Sequence, residues 1–241
     1  MKRILLALGL FLSSVFGAEF YMPPYETLIF DVQNGEAVIA DNPAIMVGSA
    51  GIVMHDFGNG ENAIIARAVV TEKNGNNAKI RFEVFGMLEQ KALPLPKILP
   101  ANGDKVILNY LYDRALIVAP NAEIYAQIVQ AFPNIEFIHP DLGGAYLRLN
   151  SKPNPSRDDF RKICAKNSTG LIFVAMNEKS VFADCGSFKP LRTYESGKVA
   201  YYTLPFYSRV GDIKTVFWDF TNGPISDYDR HYSYLLGLDD E

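Results

Sequence analysis

The sequence predicts an α+β protein with an antiparallel β barrel or sandwich in its N-terminal half and a small α/β unit in its C-terminal half. Three observations predict it. Asn-Gly occurs at Asn34, Asn59, Asn74, Asn102 and Asn222, with four of these before residue 104 among β-branched and apolar runs. Such pairs take the positive φ angles of tight hairpin turns. Apolar residues then alternate with polar ones at period two in the first half, and from residue 115 they recur at helical spacing between short buried-type strands. The chain is 49% hydrophobic and 21% charged, enough to bury a core.

The first twenty residues, MKRILLALGLFLSSVFGAEF, place Lys2 and Arg3 before the apolar run Ile4 to Phe16, with Val15 and Gly17 supplying the small-residue pattern of a cleavage site. This is the form of a secretory signal peptide over residues 1–17, cleaved after Gly17 or Ala18. The apolar run is shorter than the ~20 residues that cross a bilayer. Cleavage removes two basic residues and no acidic one, taking the formal charge from −4 to −6. An acidic balance of this kind argues against nucleic acid as a partner. The expected location is outside the cytoplasm, on the cell surface or in the periplasm.

Residues 18–112 form the expected β-rich domain. Thr27 to Val32, Gly51 to His55, Ala63 to Val70, Lys79 to Phe85 and Lys105 to Tyr112 are its strand candidates. In Lys79 to Phe85, Ile80, Phe82 and Val84 alternate with Lys79, Arg81 and Glu83, the pattern of a half-buried strand. Closing such strands into a barrel or sandwich protects their edges. The segment LPLPKILPANGD, residues 93–104, carries three prolines and serves as a connector.

Residues 113–212 form the expected α/β domain. ALIVAP reads as a buried strand, Asn121 as the cap of a helix AEIYAQIVQAF, and IEFIH as a further strand. Ser156 and Asp159 have capping-box spacing ahead of Phe160, Ile163 and Cys164, and Cys164 is placed at that helix's end. GLIFVAMN and SVFADC read as a strand pair. Residues 213–241 form an aromatic segment, with Phe217, Trp218 and Phe220 followed by a helix from Ser226 to Leu236.

Few residues carry chemistry. The chain has two cysteines, Cys164 and Cys185. In an exported chain they most simply form a disulfide. The alternatives are a metal pair and a redox couple. The first wants two further ligands, whereas His55, His139 and His231 are scattered, and the second usually takes Cys-x-x-Cys spacing. GSAG at 48–51 lacks the Gly-x-Ser-x-Gly spacing of a nucleophile elbow. His139 and Asp141 could offer an acid/base pair, but they sit at a strand exit where turn residues are expected. Asn167-Ser168-Thr169 has the form of a glycosylation acceptor and reads as a polar loop. No phosphate loop, dinucleotide fingerprint, metal site or cofactor motif is visible.

Five segments taken together carry a family likeness: LPLPK running to GDKV, ALIVAPNAEIYAQI, IEFIHPDL, the spacing of Cys164 and Cys185 around a hairpin, and TLPFYSRVGDI. Across residues 25–235 the chain resembles the N-terminal domain of the plasminogen-binding surface protein family of gastric and enteric bacteria. The resemblance implies a non-enzymatic exported or surface protein that captures host plasminogen through its kringle modules. Kringle lysine sites hold an ammonium and a carboxylate at once, and family members continue into a Lys-rich tail that supplies a terminal lysine. Here the corresponding residues are Leu238, Asp239, Asp240 and Glu241. An internal pair is then the expected substitute: Asp158 and Lys162, at i and i+4 on a helix, face the same way. The other function carried forward is a structural or adaptor protein of the bacterial cell envelope without plasminogen binding.

Overall fold

A computed structural model describes residues 19–87, 97–214 and 223–238. The signal segment, residues 93–96 of the connector, Phe217, Trp218 and Phe220, and the terminal Asp239, Asp240 and Glu241 lie outside the described residues.

The first sheet is wholly antiparallel and is built from β1 (Tyr25–Leu28), β2 (Phe30–Gln33), β3 (Glu36–Ala40), β4 (Ala50–Gly58), β5 (Glu61–Asn74), β6 (Asn77–Glu83) and β7 (Lys105–Leu108), in the order β1-β7-β4-β5-β6-β3-β2. β1 and β2 stand at opposite ends of that order, yet only Ile29 separates them in sequence. The sheet must therefore curl until its ends meet, forming a half-barrel. Ile29 turns into the interior, 1% exposed, and its backbone exchanges hydrogen bonds with Gly103 and Asp104 at 2.8 and 2.9 Å.

Turn chemistry sets the registers. Asn34-Gly35 joins β2 to β3 and Asn59-Gly60 joins β4 to β5, with φ of 51° and 81° in the first turn and 56° and 82° in the second. Both central residues are left-handed, so the turns match the twist of the strands they link. The interior is apolar, with Ile39, Val53, Ala68, Val70, Ile80, Val106 and Leu108 buried together. The alternation in β6 holds through Ile80, but the strand ends at Glu83 and Val84 is 90% exposed. That corrects the expected extension to Phe85.

The second sheet is mixed, ordered β12-β11-β10-β8-β9. Its strands are β8 (Arg114–Val118), β9 (Glu136–Ile138), β10 (Leu171–Met176), β11 (Lys179–Asp184) and β12 (Pro190–Glu195), with β8 parallel to β9 and β10. Helices cover both faces, and all six residues of β10 are buried. Such a strand reads as a continuous apolar run. Ile172, Val174 and Met176 pack toward α2 (Pro140–Leu149), α3 (Arg157–Asn167) and α4 (Tyr228–Leu236). Leu171, Phe173 and Ala175 face α1 (Ala122–Ala131) and Phe20, whose ring stacks on Phe182 at 4.1 Å.

The helix caps fall where the sequence places them. Asn121 accepts from the Ile124 N–H at 2.9 Å, and Ser156 with Asp159 forms a reciprocal capping box. α3 passes through Cys164 to Asn167 and stops at Ser168 in a left-handed conformation, so Cys164 lies within the helix and does not end it. α2, β3 and β12 are additions to the elements expected. Gly51, in β4, runs so close to β7 that a Cβ there would lie 1.9 Å from the Ile107 carbonyl oxygen; only glycine fits.

Candidate functional site

The two sheets meet at a cleft of 630 Å³ that has β5 and β6 on one side and α3 with the Cys185 turn on the other. The capping box fixes the rotation of α3. Asp159, Phe160, Ile163 and Cys164 point inward, leaving Asp158, Arg161 and Lys162 outward. The bridge Cys164–Cys185 forms, with Cα atoms 6.5 Å apart, tying α3 to the end of β11 along the cleft.

Beneath the cleft lies a buried network joining the sheets. Arg67 of β5 stands opposite Glu83 of β6 in the ladder and pairs with it. Its other terminal nitrogen reaches Asp184, at the end of β11, at 2.6 Å. The Tyr112 hydroxyl donates to Asp184 at 3.2 Å and accepts from the Ala50 N–H at 2.8 Å. Ser187 donates to Asp184 through its N–H and its hydroxyl, at 2.7 and 2.8 Å. A Cβ at Gly186 would lie 2.6 Å from the Arg67 guanidinium. The turn after Cys185 is thus glycine because Arg67 lies flat against it.

Burial alone would favour neutral Arg67, but Asp184 and Glu83 outweigh it and hold the pKa above its ordinary value. Glu83 is likewise pushed upward by burial and drawn back below the carboxylate range by hydrogen bonds from Arg81 and Arg67. Burial first, then the Asp184 charge, drives the Tyr112 pKa well upward, so this phenol stays protonated as a donor. Such a charge pair gives little net stability over an apolar pair, yet losing one member leaves the other buried and unpaired.

Asp158 and Lys162 come together as their spacing predicts, with Lys162 Nζ 2.6 Å from Asp158 Oδ2 and both side chains mostly exposed. The hydrogen bond to Asp158 raises the Lys162 pKa. Lys162 also lines the cleft. The other candidates are used structurally. His139 caps α2 by accepting from the Asp141 N–H at 3.2 Å, and Asp141 is held by Arg209 at 2.8 Å. Ser49 is fully buried and accepts from the Met46 N–H. Asn167 and Thr169 fall at the end of α3 and in the buried segment after it. Among the described residues no three His, Cys, Asp or Glu converge as metal ligands, and no helix is long and apolar enough to cross a membrane.

The Arg67–Asp184 link is not legible in the sequence. The two residues are 117 positions apart, and one sequence carries no signal of such a contact. Arg81 and Glu83 were read as the solvent face of a strand, which they are, but that face also forms a wall of the cleft.

The family model described as the plasminogen-binding protein pgbA N-terminal region matches residues 24–236, and the chain belongs to this family. Similar relatives are the Plasminogen-binding protein PgbA of Helicobacter pylori strain ATCC 700392 / 26695 and that of strain J99 / ATCC 700824. Each is 28% identical over 196 residues, covering 80% of this chain and 42% or 43% of the relative. The chain spans less than half the length of these curated relatives.

Proposed function

We propose that this chain is an exported, non-enzymatic binding protein that captures plasminogen, displaying Asp158 and Lys162 of α3 to a kringle lysine site. The observation that carries this reading is membership of a family named for plasminogen binding over residues 24–236. Two features support it. The Cys164–Cys185 bridge suits an oxidising compartment. The Asp158–Lys162 pair is exposed at the cleft rim. An exposed pair of this kind is held only weakly, so a partner with stronger sites for both poles opens it at small cost.

The test is binding of residues 18–241 to immobilised plasminogen with and without a free lysine analogue. Saturable binding that the analogue removes, and that Lys162→Ala abolishes while the melting temperature stays put, supports the reading. Binding untouched by the analogue or by Lys162→Ala sinks the lysine-site assignment.

One observation favours a second reading, in which the chain is a structural or adaptor protein of the bacterial envelope. It covers only 42% of the Helicobacter pylori relative, so the activity in that relative's name can reside in the portion not shared. Resistance to protease added to intact cells, together with no plasminogen binding, decides for this reading.

A further inference from the structure

We propose that the cleft between β6 and α3 binds an acidic peptide segment through its carboxylates. Arg67, Arg81, Arg161, Lys162 and Lys189 line it, with Glu83 the acidic residue among them. Among the described residues, adding Asp184 beneath and Asp158 at the rim still leaves two positive charges in excess, in a chain whose formal net charge is −4. A positive cleft in an acidic protein concentrates the potential that draws and orients an anion.

The cations are already in place. Glu83 bridges Arg67 and Arg81, and Arg161 Nε donates to the Gly186 carbonyl at 2.5 Å. A guanidinium has five donors in a planar fork. Arg81 and Arg161 each spend one nitrogen on these contacts and retain others for a carboxylate. Lys189, exposed on the same rim, has no ion-paired side chain among the described residues. Donors held before the ligand arrives lower the ordering cost of binding.

The shape and lining select among anions. A volume of 630 Å³ falls in the range of ligand pockets. Val84, Met87 and Ala165 add apolar surface, which suits an apolar residue between acidic ones. Glu83 occupies the space between Arg67 and Arg81, while Arg161 is tied to Gly186 on the other side of the cleft. Separate monoanionic carboxylates on a chain reach them individually, whereas a compact dianion would meet the Glu83 charge.

Lys162 belongs to both this assignment and the plasminogen reading, so the test uses residues that the plasminogen reading does not. The probe is a fluorescein-labelled peptide, acetyl-Leu-Asp-Glu-Leu-Asp-Glu-amide, titrated with the full folded chain and followed by anisotropy. An Asn/Gln analogue is the uncharged control and inorganic phosphate the competitor. Saturable binding is expected, weakened at least about tenfold by Lys189→Glu and by Arg81→Glu, and weakened by salt. Lys189→Ala, a truncation at an exposed side chain, gives a smaller loss with an unchanged melting temperature. No saturable binding, equal binding of the uncharged analogue, or an affinity in both charge-reversal variants unchanged from that of the intact chain overturns the proposal. Displacement by millimolar phosphate as complete as by unlabelled peptide reassigns the cleft to free anions and overturns the peptide assignment.

Discussion

The two sheets solve the burial problem in opposite ways. The first buries one face by curling on itself, so β3 and β6 alternate buried and exposed positions and tight turns set much of its register. The second stays open and buries both faces under helices, so β10 is apolar throughout and carries no alternation. A self-closing sheet leaves its outer face free for charge, and Arg81 and Glu83 stand there. A covered sheet has no free face, and its outward charges come from helices such as α3. The candidate cleft lies where one sheet's outer face meets the other's helix, and Arg67 with Asp184 joins them.

Removing that join has the largest expected effect. Arg67→Ala leaves Asp184, only 4% exposed, without its cation, and about 3–5 kcal/mol of stability is expected to go. Urea unfolding measures it. If the loss is under ~1 kcal/mol, the sheets do not depend on the network.

Replacing Cys164 and Cys185 together by serine separates the contributions further. A loop of sequence separation 21 corresponds to about 3 kcal/mol in the chain-entropy model. The chain-entropy loss is shared by both sheets, and easier local opening of α3 and β11, which the bridge ties, adds to it, so hydrogen exchange should quicken most there. Quickening no greater in α3 and β11 than in β4 and β5 would contradict a local staple.

A smaller effect starts at the second sheet. Asn121→Ala removes the cap of α1 and is expected to cost about 1 kcal/mol, with exchange quickening most in α1. Thermal melting and exchange read both parts of that outcome.

The smallest effect is pH-dependent. His231 is held below its ordinary pKa by burial, and its Nε2–H donates to the Pro155 carbonyl at 3.0 Å. As pH falls below about 6.5 the unfolded chain takes the proton first. The contribution of His231 is therefore fully present above that pH and is lost as pH falls through the depressed folded value. The urea midpoint should decline from pH 7.5 to 5.5, and His231→Gln should flatten the decline. An unchanged slope in the variant assigns the decline to other groups.

The same contrast decides what a single sequence reveals. Turn-forming Asn-Gly pairs, the caps at Asn121 and Ser156 and the buried run of β10 are local and were legible. The helix α2 was not, because its Gly143 and Gly144 are poor helix formers. They are present for close packing: a Cβ on Gly144 would lie 2.6 Å from Ser208 Oγ and one on Gly143 3.1 Å from Phe206 Cζ. β12 begins at Pro190 and is mostly solvent-facing, so neither its composition nor its pattern marks a strand. At the site, the i,i+4 pair Asp158–Lys162 was legible because a helix fixes its geometry. The Arg67–Asp184 bond depends on how two sheets dock, which local spacing does not encode.

The Arg67–Asp184 bond makes the cleft a fixed feature shared by both sheets. Native-state hydrogen exchange in the intact chain and in Arg67→Ala tests it most directly. The slowest amides of β5 and β10 should open with the same free energy in the intact chain, and both should lose protection together in the variant. Different opening free energies in the intact chain, with β10 untouched by Arg67→Ala, would contradict it.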